Sequence, residues 1–218
     1  MVRNKNFPKK FKTSFYIIGA GGHAYSCIDV ILSCGYEIKG IYGLEKDIGK
    51  NILGYQVKGT QLELSKKIKK NDNLHIAVGH TFSKNEKHKI LRLFKGKCRF
   101  PKIISPFSIV SPHSYIENGT IVMHGAKVGV KSYVGEHSII NTNSSIDHNC
   151  EIGNFSHIST SVTLNGNVEI GNNVFIGSGT TVKDSIKISS NQSIKMCSKV
   201  IKDKWYCLLN FIIIYQIK

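Results

Sequence analysis

From Ile104 to Val200 an aliphatic residue returns at every sixth position, seventeen times in register. The series runs from Ile104, Val110 and Ile116 through Ile140, Ile146 and Ile152 to Ile188, Ile194 and Val200. An amphipathic helix repeats near 3.6 and a half-buried strand near 2, so neither explains a period of six. A short strand followed by a tight bend does. In such a unit residues i and i−2 point inward, i−1 points outward, and i+1 to i+3 turn the corner. Position i−2 is mostly small or β-branched, as at Ser132, Ser138, Ser144, Cys150, Ser156 and Val162, which leaves room for the aliphatic at i. Gly recurs at i+1, in Gly129, Gly135, Gly153, Gly171 and Gly177, where a corner with φ > 0 would favour it. Hexapeptide units of this kind predict a parallel β-helix over residues 104–203.

The segment before the repeat reads differently. Phe15–Ile18 is a short apolar strand, Gly19-Ala-Gly-Gly-His23 a tight turn, and Ala24–Leu32 apolar at helical spacing. A glycine turn leading into a helix N-terminus is an anion site, because free backbone N–H groups and the helix dipole converge there. Gly19, Gly21 and Gly22 are therefore candidate ligand contacts, with His23 beside them. The spacing Gly19-x-Gly21-x-x-Ala24 fits a dinucleotide fingerprint. The second strand, Glu37–Tyr42, ends in Tyr42-Gly43 where a ribose-binding acid would stand. Another phosphate-bearing ligand is thus favoured over NAD. Further strands are predicted at Tyr55–Val57, Leu74–Val78 and Phe100–Ile104, with helices at Gln61–Lys69 and Lys84–Phe94. Such alternation predicts a small Rossmann-like α/β domain over residues 1–103. Residues 1–12 read as a basic, frayed end, and 204–218 as a tail with a short apolar run.

Composition narrows the class. Nothing is long and apolar enough to span a bilayer, and the N-terminus has no signal-peptide core, so a cytoplasmic location is expected. Six Cys form no CxxC pair and no metal-like spacing, which predicts reduced thiols and no metal. The net charge of +16 comes with no nucleic-acid motif or aromatic platform, so it points to anionic small molecules and a Lys-rich composition.

Within the repeat, Asn141-Thr-Asn-Ser-Ser-Ile-Asp-His-Asn149 keeps the period but changes chemistry. His148 falls at a corner with Asp147 before it, and His157 at an outward strand position. With the Gly19–His23 turn and Val162-Thr-Leu-Asn-Gly-Asn-Val-Glu-Ile-Gly171, this segment resembles the bacterial hexapeptide-repeat sugar acetyltransferases. Those proteins join a Rossmann-like domain to a left-handed β-helix, an exception to the usual right-handed crossover. Members include sialic-acid-pathway O-acetyltransferases and UDP-amino-sugar N-acetyltransferases. The likeness runs from about Phe15 to Asp203.

The resemblance implies an acetyl-CoA-dependent transferase with His148 as general base, a role suited to imidazole, which exchanges protons near neutral pH. Three hexapeptides per coil would place Gly166 one coil above His148, its N–H offered to an oxyanion. The likeness further assigns Asn141 to the acyl group and His157 to acetyl-CoA, with the glycine turn binding the acceptor sugar. It also implies a homotrimer. Outward positions eighteen apart then read Ile121, Ile139, His157 and Phe175, an apolar face predicted to be buried between subunits.

The chain departs from the pattern in three places. Asn149 follows the base where some relatives carry an acid, leaving Asp147 as the candidate orienting residue. Ile194-Lys-Met-Cys-Ser-Lys-Val200 replaces the usual small-residue last coil. The acidic residue that contacts uridine after the second strand has no counterpart at Tyr42-Gly43. A nucleotide-linked amino sugar and a sialic or other nonulosonic acid both remain open as acceptor. Two other functions stand beside transfer: a β-helix zinc enzyme of carbonic-anhydrase type and a non-catalytic binding protein. The nearest His pair among the coils is nine residues apart, against the close pair such a zinc site uses. A lone corner His is ordinarily a solvated turn residue; His113, His124 and His137 are read as structural.

Overall fold

The computed structural model describes residues 13–79 and 86–204, so expectations for 1–12, 84–85 and 205–218 lie outside the described residues. The chain opens with β1 (Ser14–Ile18), α1 (Gly22–Ser33) and β2 (Glu37–Gly43), followed by a 3-10 turn at Glu45–Asp47. Next come β3 (Asn51–Ile52), β4 (Tyr55–Thr60), α2 (Gln61–Lys67), β5 (Asn73–Ile76) and α3 (Glu86–Phe94). The sheet order is β3-β4-β2-β1-β5, parallel throughout except at the β3–β4 hairpin. Thr60 starts α2 with a capping box, its hydroxyl accepting from Glu63 N while the Glu63 carboxylate takes Thr60 N–H.

Seventeen two-residue strands follow, one every six residues, from β6 (Ile103–Ile104) to β22 (Lys199–Val200). They stack into three parallel sheets, the faces of a left-handed β-helix. Face one holds β6, β9, β12, β15, β18 and β21. Face two holds β7, β10, β13, β16, β19 and β22, and face three β8, β11, β14, β17 and β20. Partners lie eighteen residues apart, as in Ile139 with His157 and Ser145 with Thr163. The aliphatics of the sixfold series fill the axis, nearly all of them buried, and each contributes about 1.5–3 kcal/mol of transfer free energy.

Two details of the repeat have causes other than those read from sequence. The buried hydroxyls at i−2 do more than leave space. Ser132 Oγ donates to Asp147 O at 2.6 Å and accepts from Cys150 N at 3.1 Å, and Ser138 and Ser156 repeat the arrangement. The glycines at i+1 are not the residues with positive φ. That conformation falls at i+3, on Lys131, His137, Asn143, Asn149, Phe155, Ser161 and Asn167 among others. Glycine is needed at i+1 because the next coil passes close. A Cβ on Gly171 would lie 2.5 Å from Ser190 N, and one on Gly153 2.6 Å from Gly171 C.

The lower coils of face one are covered within the same chain, which corrects the expectation of burial by a neighbouring subunit for Ile121 and Ile139, while Phe175 higher on the face stays half-buried. Ile121 and Ile139 are 1% and 3% exposed and belong to one core with Phe15, Cys27, Ile28 and Ile31. His124 reaches Asp29 of α1 at 3.1 Å, and Cys34 Sγ donates to Ile104 O at 3.2 Å. The hexapeptide pattern shows that these side chains point outward; it carries no information about what meets them.

Candidate active site

The predicted site residues fall into three groups. The first is the glycine turn. Gly19 has φ +126, its N–H donates to Tyr42 O at 2.9 Å, and a Cβ there would meet Ala77 O at 2.6 Å. Only glycine fits. Gly21 caps α1 with extended backbone, and Gly21 and Gly22 have open space where a Cβ would stand. No acidic residue occupies the first turn of α1, so no side chain of that turn offsets its free N–H groups and positive dipole end. These residues line a cavity of about 620 Å³ together with His23, Lys46, Asp47 and Lys50.

Asp47 was missed in the sequence because it stands beyond the strand end, in the 3-10 turn. It supplies an acid to this cavity after all, but its carboxylate is engaged by Lys50 Nζ at 2.5 Å and by Leu44 N at 3.3 Å. The Lys50 ammonium is the main cause of its lowered pKa.

The second group lies where the α/β segment meets face one. Asn141 Nδ2 and His157 Nε2 are 3.1 Å apart, Asn141 Oδ1 accepts from Thr142 N at 2.8 Å, and the His157 ring lies 6.1 Å from that of His23. Behind them lies a basic cluster to which no motif or periodicity pointed. His75 is 3% exposed with neither ring nitrogen hydrogen-bonded. Lys87 donates to His137 O at 2.6 Å. Burial, with the Lys87 charge adding to it, pushes His23 and His137 down to about 4 and holds His75 well below the ordinary imidazole value. Burial likewise lowers Lys87 to about 8 and raises the Cys27 thiol to about 12. These imidazoles are neutral at neutral pH. Local periodicity could not reveal the cluster, since α1, β5, α3 and the coil each contribute one or two members.

The third group sits on the edge between faces two and three. His148 is exposed there, one coil below Gly166. A Cβ on Gly166 would lie 2.5 Å from His148 Cε1 and 2.7 Å from Nε2, so the ring rests over the glycine backbone. Among the described residues none accepts a hydrogen bond from Gly166 N–H. Asp147 is not the ring's partner. Its Oδ1 accepts from His148 N at 2.7 Å and so fixes the corner, whereas Asn149 Nδ2 lies 2.9 Å from His148 Nδ1. Turning the Asn149 amide by 180° places Oδ1 there, which puts the proton on Nδ1 and leaves Nε2 as acceptor.

These groups do not converge within one chain. Face one packs on the α/β segment, and the His148 edge is the corner opposite that face. Among the described residues of this one chain no cluster of three or more His, Cys, Asp and Glu could hold a metal. No helix among them is long and apolar enough to cross a membrane.

Residues 14–91 match the PglD N-terminal domain. The acetyltransferase domain of PglB from Neisseria gonorrhoeae FA1090, solved in complex with acetyl coenzyme A, is similar at 27% identity with a TM-score of 0.79. That likeness covers 88% of this chain and 92% of that one. PerB from Caulobacter crescentus, solved with CoA and GDP-perosamine, is similar at 26% identity and TM-score 0.78, over 90% and 93% of the two chains. A single-residue variant of perosamine N-acetyltransferase from the same organism, also with CoA and GDP-perosamine, matches at 25% identity and TM-score 0.78, over 90% and 92%. No curated protein matches. Over nearly its whole described length the chain resembles the hexapeptide-repeat sugar acetyltransferases, and its residues 14–91 match the PglD N-terminal domain.

Proposed function

We propose that this chain transfers an acetyl group from acetyl-CoA to the amine of a nucleotide-linked amino sugar, with His148 as general base. The observation that carries the reading is the stacking of an exposed imidazole on Gly166, whose N–H has no acceptor among the described residues. His148 Nε2 takes the proton of the acceptor amine as its nitrogen attacks the thioester carbonyl. The carbonyl oxygen becomes an oxyanion facing Gly166 N–H, a donor that needs no reorganisation. Collapse breaks the C–S bond, and the imidazolium returns its proton to the CoA thiolate. Asp147 acts through the backbone, holding the corner that carries the ring. Asn149 orients the ring as a neutral partner, without the charge a carboxylate would add.

In this reading residues 1–103 bind the acceptor and 104–203 perform transfer. The acceptor's phosphates lie against Gly19, Gly21, Gly22 and the α1 N-terminus, with Lys46 adding positive charge. His23 lines the same cavity. Because the glycine cavity and His148 occupy opposite sides of one chain, a complete site takes two subunits, and a homotrimer supplies three. The corner bearing Asn141 would be the one a neighbour presents to His148. Asn141 there contacts the acyl group, and His157, at 3.1 Å, holds it against acetyl-CoA. The setting is cytoplasmic synthesis of bacterial surface glycan.

The experiment is thiol release from acetyl-CoA with a panel of UDP- and GDP-linked amino sugars and free nonulosonic acids, products being identified by mass. A nucleotide amino sugar gaining one acetyl group is the expected result. Acetylation of the free nonulosonic acid alone would reassign the acceptor, and no thiol release with any of them would favour the non-catalytic alternative.

A further inference from the structure

The groove between α3 and the corner joining faces three and one plays no part in acetyl transfer as described. His88, Leu91, Arg92 and Lys95 line it, and their spacing puts them on one side of the helix. Opposite stands Phe155, which holds φ +60. A bulky residue in the left-handed region costs on the order of 1–3 kcal/mol and persists only where its surroundings over-determine it. The next two coils place Asn173 and Asn191 at this position, as the conformation prefers. Phe155 is held from two sides: its ring lies 4.2 Å from His88 and stacks on His137 at 5.5 Å and 4°. His88 is fixed in turn by Asn173 Oδ1, 3.1 Å from Nε2. The result is a rigid aromatic wall.

The facing wall is cationic. Arg92 and Lys95 are exposed and join no ion pair among the described residues, and no carboxylate lines the groove. Its volume of about 630 Å³ is in the range of small-molecule sites. Half-buried aromatic surface facing two unneutralised cations complements a flat heteroaromatic ring that carries phosphate.

We propose that this groove binds a nucleotide, its base against the aromatic wall that Phe155 and His88 form together and its phosphates on Arg92 and Lys95. Two sources share that chemistry, the nucleotide end of acetyl-CoA and a free nucleotide. The binding itself stands independently of the acetyl-transfer reading, because it is measured without turnover. The test is calorimetric titration of the full chain with ADP, for wild type, the Arg92→Glu/Lys95→Glu double variant and Phe155→Asn. Asparagine suits the left-handed backbone and removes the ring, so this second variant is expected to fold. We expect ADP to bind wild type and both variants to weaken it at least tenfold with unchanged melting temperature. A parallel rise in the acetyl-CoA KM at constant kcat in the double variant would identify the acyl donor as the source. An unchanged KM would identify a free nucleotide. If ADP fails to bind wild type, or binds both variants as tightly as wild type, the proposal is overturned.

Discussion

Gly166→Ala isolates the geometry of the reacting corner. Gly166 has no left-handed φ, so alanine is compatible with its backbone. The new methyl would stand 2.5 Å from His148 Cε1 and 2.7 Å from Nε2, where an ordinary contact needs about 3.4 Å or more. The ring must therefore retreat by close to 1 Å. Because His148 is exposed, it can do so into solvent without disturbing the core. A displacement of this size from a near-attack arrangement costs about 10²-fold in rate, or about 2.7 kcal/mol of transition-state stabilisation. The methyl also crowds the approach to the Gly166 N–H, which acts in the same direction. Steady-state thiol release should show kcat reduced about 10²-fold, with the acetyl-CoA KM and the melting temperature close to wild type. Wild-type kcat in Gly166→Ala would refute the reasoning, because neither the imidazole position nor the oxyanion donor could then matter.

Four further outcomes follow from other parts of the molecule. Gly171→Ala forces a Cβ to 2.5 Å from Ser190 N, backbone that cannot swing away, so it should cost about 1–3 kcal/mol and lower Tm by about 2–4 °C per kcal/mol. Gly21→Ala, with open space at its Cβ, should melt like wild type. Stability should hold above about pH 6.5 and fall as pH drops toward 4, because His23, His137 and His75 are held neutral in the fold and regain a 6.5 pKa on unfolding. Each can contribute a slope of at most about 1.4 kcal/mol per pH unit; Tm measured between pH 7.5 and 5 should slope less in His75→Leu, and an unchanged slope would exclude His75 from the effect. Mixing inactive His148→Ala chains with inactive Gly21→Val chains and reassembling them should restore roughly a quarter of the sites if each site spans two subunits. No recovery in confirmed mixed assemblies would mean that the site is built otherwise.

How much of this was legible in the sequence depends on the range of the interaction. The β-helix was, because its determinants recur every six residues and every coil repeats them. The glycine turn was too, since strand, turn and helix start are contiguous. Fold position could mislead even there: glycine at i+1 looked like a conformational requirement and is a steric one, imposed by a backbone eighteen or nineteen residues on. The ladder Ile121, Ile139, His157 and Phe175 looked like an intersubunit face, yet its first two members pack into one core with α1, and only Phe175 stays half-buried. Asp47 escaped notice because a 3-10 turn moved it past the strand end, and Lys87 with His75 because they meet only in three dimensions. The partner of the His148 ring turned on one residue's direction at a corner, where Asp147 points to the backbone and Asn149 to the ring.

In the proposed reaction the exposed imidazole at the edge of faces two and three moves the proton. The most direct test is the turnover of His148→Ala against wild type with acetyl-CoA and an accepted nucleotide amino sugar, alongside the mass of each in solution. The expected result is a correctly assembled variant whose kcat is lower by about 10²–10⁴-fold. A His148→Ala chain that transfers acetyl at the wild-type rate would contradict it.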